Sequence, residues 1–245
     1  MNLLRKSYVS ASQIPFEMKT IYLALDTDWC HDEVLDYALS LFVDRGLQCT
    51  VFATGPYQAL QNNSAAEIEV GLHPNFMDCI SQDYERKLLE LRAFYPHAQG
   101  VSCHATMSSV PLLDLFKRHG LAYDRSLLLY KHDSAAPFYH YNGLLRIPVY
   151  WEDDIWFTAE PGTRFSAQLL RTDEFDEVFV FHPIHLYQNT LSQAHYQAFK
   201  PLQRDLSALA EHRGTGYGAH SFFSDLADNV SRSQIRTGLL SELLT

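Results

Sequence analysis

The chain has 245 residues, of which 47% are apolar and 20% are charged, and this composition is typical of one globular domain and excludes a mainly disordered chain. Its 19 basic and 29 acidic residues give a formal net charge of −10. This charge argues against nucleic acid and anionic membrane surfaces as partners, because both are bound through clustered lysine and arginine. No apolar stretch approaches the roughly 20 residues of a membrane span, and no run of signal-peptide length stands near the start. We therefore expect a single cytoplasmic domain over residues 1–245, with no membrane insertion and with its oligomeric state open.

Short apolar segments alternate along the chain with segments of helical spacing. The predicted strands cover residues 20–25, 48–54, 68–72, 100–103, 144–150 and 178–181, and the predicted helices cover 32–44, 84–95, 110–119 and 192–212. Residues 214–230 are glycine-rich and then amphipathic, which predicts a loop followed by a helix. Strand–helix alternation of this kind predicts an α/β fold with a mainly parallel sheet or barrel.

Acidic or imidazole side chains follow five of the predicted strands. They are Asp26 and Asp28, His73, His104, the run from Glu152 to Asp154, and His182 with His185. In parallel α/β folds, chemistry takes place at the carboxyl ends of the strands. Helix capping explains one or two such ends but not five, so the sequence predicts a shared polar site.

Asp26 and Asp28 form the most informative pair. In an extended segment, residues two apart point to the same side, where two carboxylates repel unless a cation lies between them or their roles differ. One can then bind a metal while the other accepts a proton. The alternative is that Asp28 caps the next helix and Asp26 meets an arginine. The chain also has 12 histidines, and histidine is the commonest metal ligand and a frequent general acid or base. Most of them are expected to be surface or packing residues, so position along the chain has to identify the others.

Two histidines, His73 and His182, directly precede prolines, which favours an extended backbone that displays the side chain at a strand tip. In an extended segment His185 would face away from His182, so we expect only His182 to enter the site. Arg146 is a candidate to orient a carboxylate through a bidentate pair, with a surface charge as the alternative. The tryptophans at 29, 151 and 156 lie near strand ends, where they either stack on sugar rings or fill the core.

The order of these segments resembles the NodB-type polysaccharide deacetylases. Asp-x-Asp-Trp at 26–29, His-Pro-Asn-Phe at 73–76, Trp-Glu-Asp-Asp at 151–154 and His-Pro-Ile-His at 182–185 are most similar to the WbmS-like subgroup of O-antigen gene clusters. The resemblance covers about residues 20–190 and leaves a C-terminal helical segment over about 191–245. It implies a distorted (β/α) barrel with a divalent metal, usually zinc, at the carboxyl ends of the strands.

The resemblance also implies residue roles. Asp26 becomes the general base, His182 the catalytic acid, and Asp28 and His73 metal ligands. Met77 stands where the family has a second histidine, and because a thioether is a poor zinc ligand, His104 is the best replacement. Arg146 joins the catalytic set. The residues assigned to substrate binding are Trp29, Asn75, Trp151, Glu152, Asp154 and His185.

The expected function is metal-dependent hydrolysis of an N-acetyl group from a sugar or glycan precursor in O-antigen or surface polysaccharide synthesis. Two alternatives stay open. Met77 motivates a deacetylase-like protein that has lost catalysis and only binds a glycan, and the same site also suits a metal-dependent amidase with a non-sugar substrate. A two-metal phosphoesterase is disfavoured because it needs more ligands than the pattern offers, and a scaffold because five polar strand ends would cost stability without a function.

Overall fold

The structure is a computed structural model that describes residues 19–61, 65–133, 135–170 and 177–244. The strands are β1 Thr20–Asp26, β2 Cys49–Ala53, β3 Ile68–Leu72, β4 Gly100–Val101, β5 Tyr123–Asp124, β6 Phe138–Tyr139, β7 Leu145–Arg146, β8 Trp151–Glu152, β9 Val178–Phe181 and β10 Arg236–Gly238. The helices are α1 Asp32–Val43, α2 Gln58–Gln61, α3 Tyr84–Phe94, α4 Val110–Arg118, α5 Asp153–Ala159, α6 Pro183–Gln188, α7 Gln193–Phe199, α8 Leu206–Glu211 and α9 Ala219–Arg232.

The strands form one curled sheet in the order β6-β7-β5-β4-β3-β2-β1-β9-β8, with β10 beside the first half of β1. The β6–β7 pair is antiparallel, and the other paired strands run parallel. The prediction of an α/β fold with a mainly parallel, barrel-like sheet is confirmed. The carboxyl ends of β1, β3, β4, β9 and β8 consequently meet at one edge.

The segment predicted as one strand over 144–150 changes its neighbours midway. Its first part, β7, pairs with β5, and the N–H of Ile147 donates to the carbonyl of Asp124 at 2.9 Å. Beyond Pro148, the N–H of Tyr150 donates to Val178 at 3.0 Å and β8 pairs with β9. Proline has no N–H to donate to a continuous ladder of hydrogen bonds. At Pro148 the ladder is interrupted, and the chain crosses from one end of the curled sheet to the other.

Alternation along the strands divides the core into two layers. On β1, Leu23 and Leu25 belong to the larger cluster between the sheet and its helices, whereas Tyr22 and Ala24 belong to a smaller cluster inside the curl. The inner cluster also holds Val180 of β9. Because side chains alternate, Asp26 lies on the same face of β1 as Tyr22 and Ala24, at the open carboxyl end of the barrel.

The opposite end of the barrel is closed by the C-terminal segment. Leu240 is buried in the inner cluster, and the carboxylate of Glu69 accepts hydrogen bonds from Thr50 Oγ1 at 2.9 Å, from the Tyr123 hydroxyl at 3.0 Å and from the N–H of Ser241 at 3.2 Å. The C-terminal segment, expected to be helical over about 191–245, also contains β10, which adds a parallel strand to β1.

The long helix predicted over 192–212 is also wrong. The structure has α7 and α8, separated by a 3-10 turn over Lys200–Leu202 and by Asp205, which caps α8 by accepting from the N–H groups of Ser207 and Ala208 at 3.1 Å. Proline at 201 cannot donate within a continuing helix. The loop and helix predicted over 214–230 correspond to the segment before α9 and to α9 itself. Among the described helices, none is both long and apolar enough to cross a membrane.

Candidate active site

The turn that follows β1 has an unusual backbone. Asp28 and Trp29 lie in the left-handed region with φ of 39° and 57°. The N–H of Trp29 donates to Thr54 Oγ1 at 3.1 Å, and Thr54 Oγ1 lies 2.9 Å from Thr27 Oγ1, so the end of β2 holds this turn in place. Non-glycine residues in this region cost free energy and concentrate at functional sites. The turn directs Asp28 across the barrel mouth.

Asp28 meets two histidines from neighbouring strands. Its Oδ1 lies 3.1 Å from His73 Nε2 and 3.1 Å from His104 Nδ1, and the donor atoms of the three residues lie within 4.8 Å of one another. Burial raises the pKa of Asp28, but hydrogen bonds with His104 and His73 outweigh it and hold this pKa well below its usual value. The hydrogen bond with Asp28 raises the pKa of His104.

This trio fits a divalent cation. Carboxylate oxygen and imidazole nitrogen are ligands that zinc takes, and two ligands about 2.1 Å from one tetrahedral ion lie about 3.4 Å apart. The 3.1 Å spacings here come close to that value. Nδ1 of His73 is buried with no hydrogen-bond partner and lies 3.9 Å from Asp26 Oδ1, so the second nitrogen of this imidazole faces a carboxylate.

Met77 does not take part in the trio. Its side chain is 66% exposed, and its N–H donates to Asn75 Oδ1 at 2.9 Å. Asn75, assigned to substrate binding from the sequence, thus uses its side-chain oxygen to hold the loop. His104 supplies the second imidazole, and Ala105 and Thr106 behind it are again left-handed, with φ of 54° and 50°.

Asp26 meets an arginine, as the alternative interpretation of the aspartate pair holds, and this arginine is Arg125, which is not among the residues predicted from the sequence. Arg125, 2% exposed, contacts Asp26 Oδ1 through Nη2, and the same nitrogen donates to Ser102 Oγ at 2.7 Å. Its guanidinium lies 4.7 Å from the ring centroid of Phe52. Arg125 follows β5, a strand of two residues that is too short for hydrophobic periodicity to indicate.

Arg146, expected in the catalytic set, lies elsewhere. Its Nε is 2.7 Å from Asp124 Oδ2 without the alignment of a hydrogen bond, and its Nη2 donates to the carbonyl of Ser126 at 3.1 Å. Burial raises the pKa of Asp124, and the Arg146 charge opposes this. The expectation that Arg146 orients a site carboxylate is corrected on this geometry, because Arg125 contacts Asp26 and Arg146 contacts Asp124.

His182 precedes α6 and lies between carboxylates. The backbone N–H of His182 donates to Asp153 Oδ2 at 2.8 Å, and the ring Nδ1 of His182 lies 2.7 Å from Asp153 Oδ1. The other ring nitrogen of His182, Nε2, lies 3.7 Å from Asp28 Oδ2. Burial lowers the pKa of His182, but Asp154, Asp153 and Asp28 together raise it well above its usual value. Asp153 is fully buried and was not assigned a role from the sequence, although it stands in the acidic run after β8.

His185 lies beside His182 and not opposite to it. The helix α6 begins at Pro183, and in a helix residues three apart share a face. The two imidazole centroids lie 5.4 Å apart, and His185 Nε2 lies 2.7 Å from Asp154 Oδ1. The expectation that only one of these histidines enters the site is wrong because the segment is helical, not extended.

The tryptophans divide between the surface and the core. Trp29 is 40% exposed, and its ring meets His104 edge-on with centroids 4.9 Å apart. Trp151 is completely buried and stacks on Phe222 of α9, with centroids 4.3 Å apart. Its expected contact with substrate is therefore wrong. Trp156 is also buried.

Glu152 points the other way from Trp151, as alternation requires, toward the barrel interior. The residue is half-buried, and its carboxyl lies near the charged groups of His182 and Asp154. Burial raises the pKa of Glu152 to about 7.

The raised pKa predicts a pH-dependent gain in the stability of Glu152→Gln. A folded-state pKa of about 7, above the unfolded value, means that the wild type loses stability as the pH rises toward 7. The advantage of the glutamine variant should thus grow by about 2 kcal/mol between about pH 5.5 and pH 8. Urea unfolding at both pH values measures it, with the exposed Glu211→Gln as control. An equal difference at both values would contradict a desolvated Glu152.

The chain is similar to known polysaccharide deacetylases. Residues 23–200 match the family described as WbmS-like polysaccharide deacetylases. The structure of WbmS of Bordetella bronchiseptica, a proposed polysaccharide deacetylase involved in O-antigen biosynthesis, matches with a TM-score of 0.78 and 27% identity over 85% of this chain and 90% of that chain. The comparison with curated proteins gave no match.

Two more distant structures share the fold. The 4-alpha-glucanotransferase from Thermococcus litoralis has a TM-score of 0.56 and 11% identity over 93% of this chain and 38% of that chain. The Bc1960 peptidoglycan N-acetylglucosamine deacetylase has a TM-score of 0.51 and 10% identity over 93% and 89%. The family match covers well over half of the residues, so the chain belongs to the WbmS-like polysaccharide deacetylases.

Proposed function

We propose that this deacetylase is metal-dependent and removes an N-acetyl group from a sugar or glycan precursor in O-antigen or surface polysaccharide synthesis, acting in the cytoplasm. The observation that carries the proposal is the contact of Asp28 with His73 and His104, both 3.1 Å away. The name of the WbmS structure supports the pathway class.

Asp28, His73 and His104 would hold the cation, and this nitrogen and oxygen donor set favours zinc. When bound there, the ion would activate a water molecule and polarise the carbonyl oxygen of the acetyl group. Met77, exposed on its loop, is not needed for the set.

Asp26 is the proposed proton acceptor. Its carboxylate is 5% exposed and contacts the Arg125 guanidinium, and we assign it as the group that takes the proton of the attacking water. Arg125 also fixes which way the carboxylate faces, because it is held in turn by Ser102.

His182 is the proposed proton donor. Despite burial, the charges of Asp154 and Asp153 raise its pKa and favour the protonated ring, with Nδ1 bonded to Asp153 and Nε2 directed toward the Asp28 side of the mouth. An amine is too basic to leave without a proton, and the Nε2 proton of His182 is placed to supply it.

The position of Trp29 favours an N-acetylated sugar as the substrate over an amide without a sugar. Two cavities of about 440 and 300 Å³ lie next to it, and both are lined by Trp29, Thr54, Gly55 and Pro56. An exposed indole between two open cavities suits the apolar face of a sugar ring. The inactive, glycan-binding alternative is less favoured, because His104 offers the imidazole that Met77 cannot.

Metal analysis and acetate release test the proposal together. We expect about one zinc per purified chain, acetate release from N-acetylglucosamine and its pentamer, loss of release with a chelator, and recovery when zinc is returned. N-acetylated amines without a sugar serve as the comparison substrates. Full activity in a metal-free chain would contradict the proposal. Sugar binding without turnover would favour the inactive alternative, and faster turnover of the non-sugar amides would favour the amidase.

A further inference from the structure

A second histidine–aspartate pair lies beside His182, and neither of its residues accepts or donates a proton in the steps above. His185 Nε2 lies 2.7 Å from Asp154 Oδ1, and the same oxygen lies 3.9 Å from His182 Nδ1. Asp154 comes from the first turn of α5, and His185 comes from α6, directly after β8 and β9.

The pair has one buried end and one open end. His185 is 2% exposed, its Nδ1 lies 3.0 Å from Thr190 Oγ1, and its ring packs edge-on against Phe157 and Tyr196 with centroids 4.8 Å away in each case. The side chain of Asp154 is 41% exposed. A fixed imidazole therefore holds one carboxylate oxygen while the carboxylate stays accessible from the mouth.

Asp154 is an acceptor at neutral pH. Burial raises its pKa, but the charges of His182 and His185 and the hydrogen bond of His185 lower it to about 2. An ionised carboxylate accepts hydrogen bonds and donates none, so its partner in a substrate must carry an O–H or N–H group.

A second metal is the other occupant that this group of side chains suggests, since ligand atoms of Asp153, Asp154, His182 and His185 lie within 4.8 Å of one another. The contacts favour hydrogen bonds instead. The His–Asp distances are 2.7 Å in both pairs, shorter than the about 3.4 Å expected between two ligands of one tetrahedral ion. Both nitrogens of His185 already have partners in Asp154 and Thr190.

We propose that Asp154 binds the substrate by accepting a hydrogen bond from the sugar hydroxyl next to the acetamido group, and that His185 is the positioning residue that aims it. The proposal rests on the proposed function for the identity of the ligand. The reacting nitrogen must face His182, and a hydroxyl on the adjacent ring carbon is the donor that a hexosamine then presents toward Asp154.

The test is calorimetric binding of N-acetylglucosamine and of its 3-deoxy analogue, with turnover of the pentamer measured in parallel. Loss of a hydrogen bond to a charged group should weaken binding of N-acetylglucosamine by about 10- to 100-fold in Asp154→Asn and in His185→Ala. Turnover of the pentamer should fall in Asp154→Asn as well, because the Asp154 carboxylate lies 3.9 Å from His182. The double variant should be no weaker than either single variant, because the two residues act as a unit. His185→Gln, whose amide can still donate, should restore most of the affinity.

The analogue isolates the contact itself. The 3-deoxy sugar should bind the wild type as weakly as the parent sugar binds Asp154→Asn, and the variant should not distinguish the two ligands. Asp228→Asn, an exposed carboxylate on α9, is the matched control and should behave as wild type.

Three results would overturn the proposed contact between Asp154 and the sugar hydroxyl. They are equal affinity of Asp154→Asn and wild type for N-acetylglucosamine, a second metal ion that is lost in His185→Ala, and no binding of this sugar by the wild type. Binding that follows the predicted pattern without acetate release would instead reject the proposed hydrolysis and support the contact between Asp154 and the sugar hydroxyl. Acetate release by the wild type, with unaltered sugar binding in the variants, would reject the contact between Asp154 and the sugar hydroxyl and support the proposed hydrolysis.

Discussion

Asp28→Asn is expected to yield a folded chain that has lost its metal and its activity together, whereas Asp26→Asn should keep the metal and lose turnover. Asp28 is the carboxylate shared by His73 and His104, and an amide is a much poorer ligand. Asp26 is the proposed proton acceptor, and general-base assistance is worth about 10²–10⁴-fold in rate. Metal content per chain, measured beside the rate for each variant, separates the two roles.

Asp44→Asn, at the exposed end of α1, is the control and should keep both metal and rate. Equal metal loss in the Asp26 and Asp28 variants would mean that both carboxylates are ligands. The proton acceptor would then be another carboxylate, with Asp154 the next to examine. Full turnover in Asp26→Asn would remove it from the chemistry altogether.

Arg125→Met should reduce both stability and turnover. Arg125 and Asp26 are buried together, and removal of one partner from a buried ion pair costs about 3–5 kcal/mol because the other charge is left without compensation. The same change frees the Asp26 carboxylate, so turnover should fall as well. Chemical unfolding and acetate release from the pentamer measure the two effects.

Arg146→Met provides the matched comparison. It also leaves a buried carboxylate, that of Asp124, so a loss of stability of similar size is expected. Turnover per folded molecule should be much less affected, since Arg146 contacts Asp124 and Ser126 and not Asp26. A larger loss of turnover in Arg146→Met than in Arg125→Met would return Arg146 to the catalytic set.

Much of the fold is predictable from the sequence because the long strands are apolar runs. β1, β3 and β9 were placed to within a residue, and their ends carry Asp28, His73 and His182. Parallel pairing then brings those ends to one edge without any knowledge of side-chain contacts. His104 follows from the same argument, since β4 adjoins β3.

The remaining errors have local causes. Arg125 is not predictable from hydrophobic periodicity, because β5 contributes only two residues to the sheet and periodicity needs a longer segment. Trp151 was misassigned because its position near a strand end says nothing about which face it occupies, and in fact Glu152 faces the barrel. His185 was placed on the wrong side because Pro183, read only as a restriction on the residue before it, also starts a helix.

The closure of the barrel floor has a consequence for how the chain folds as it is made. Thr20 of β1 pairs with Arg236 of β10, and Leu240 then enters the interior, so contacts of the longest sequence separation complete the structure. Synthesis proceeds from the amino terminus at about 5–20 residues per second, and such distant pairings form late. A nascent chain in which residues 236–244 are still inside the ribosome leaves the apolar interior around Tyr22 open to water and to chaperones. Closure of this barrel thus waits for the synthesis of residues 236–244.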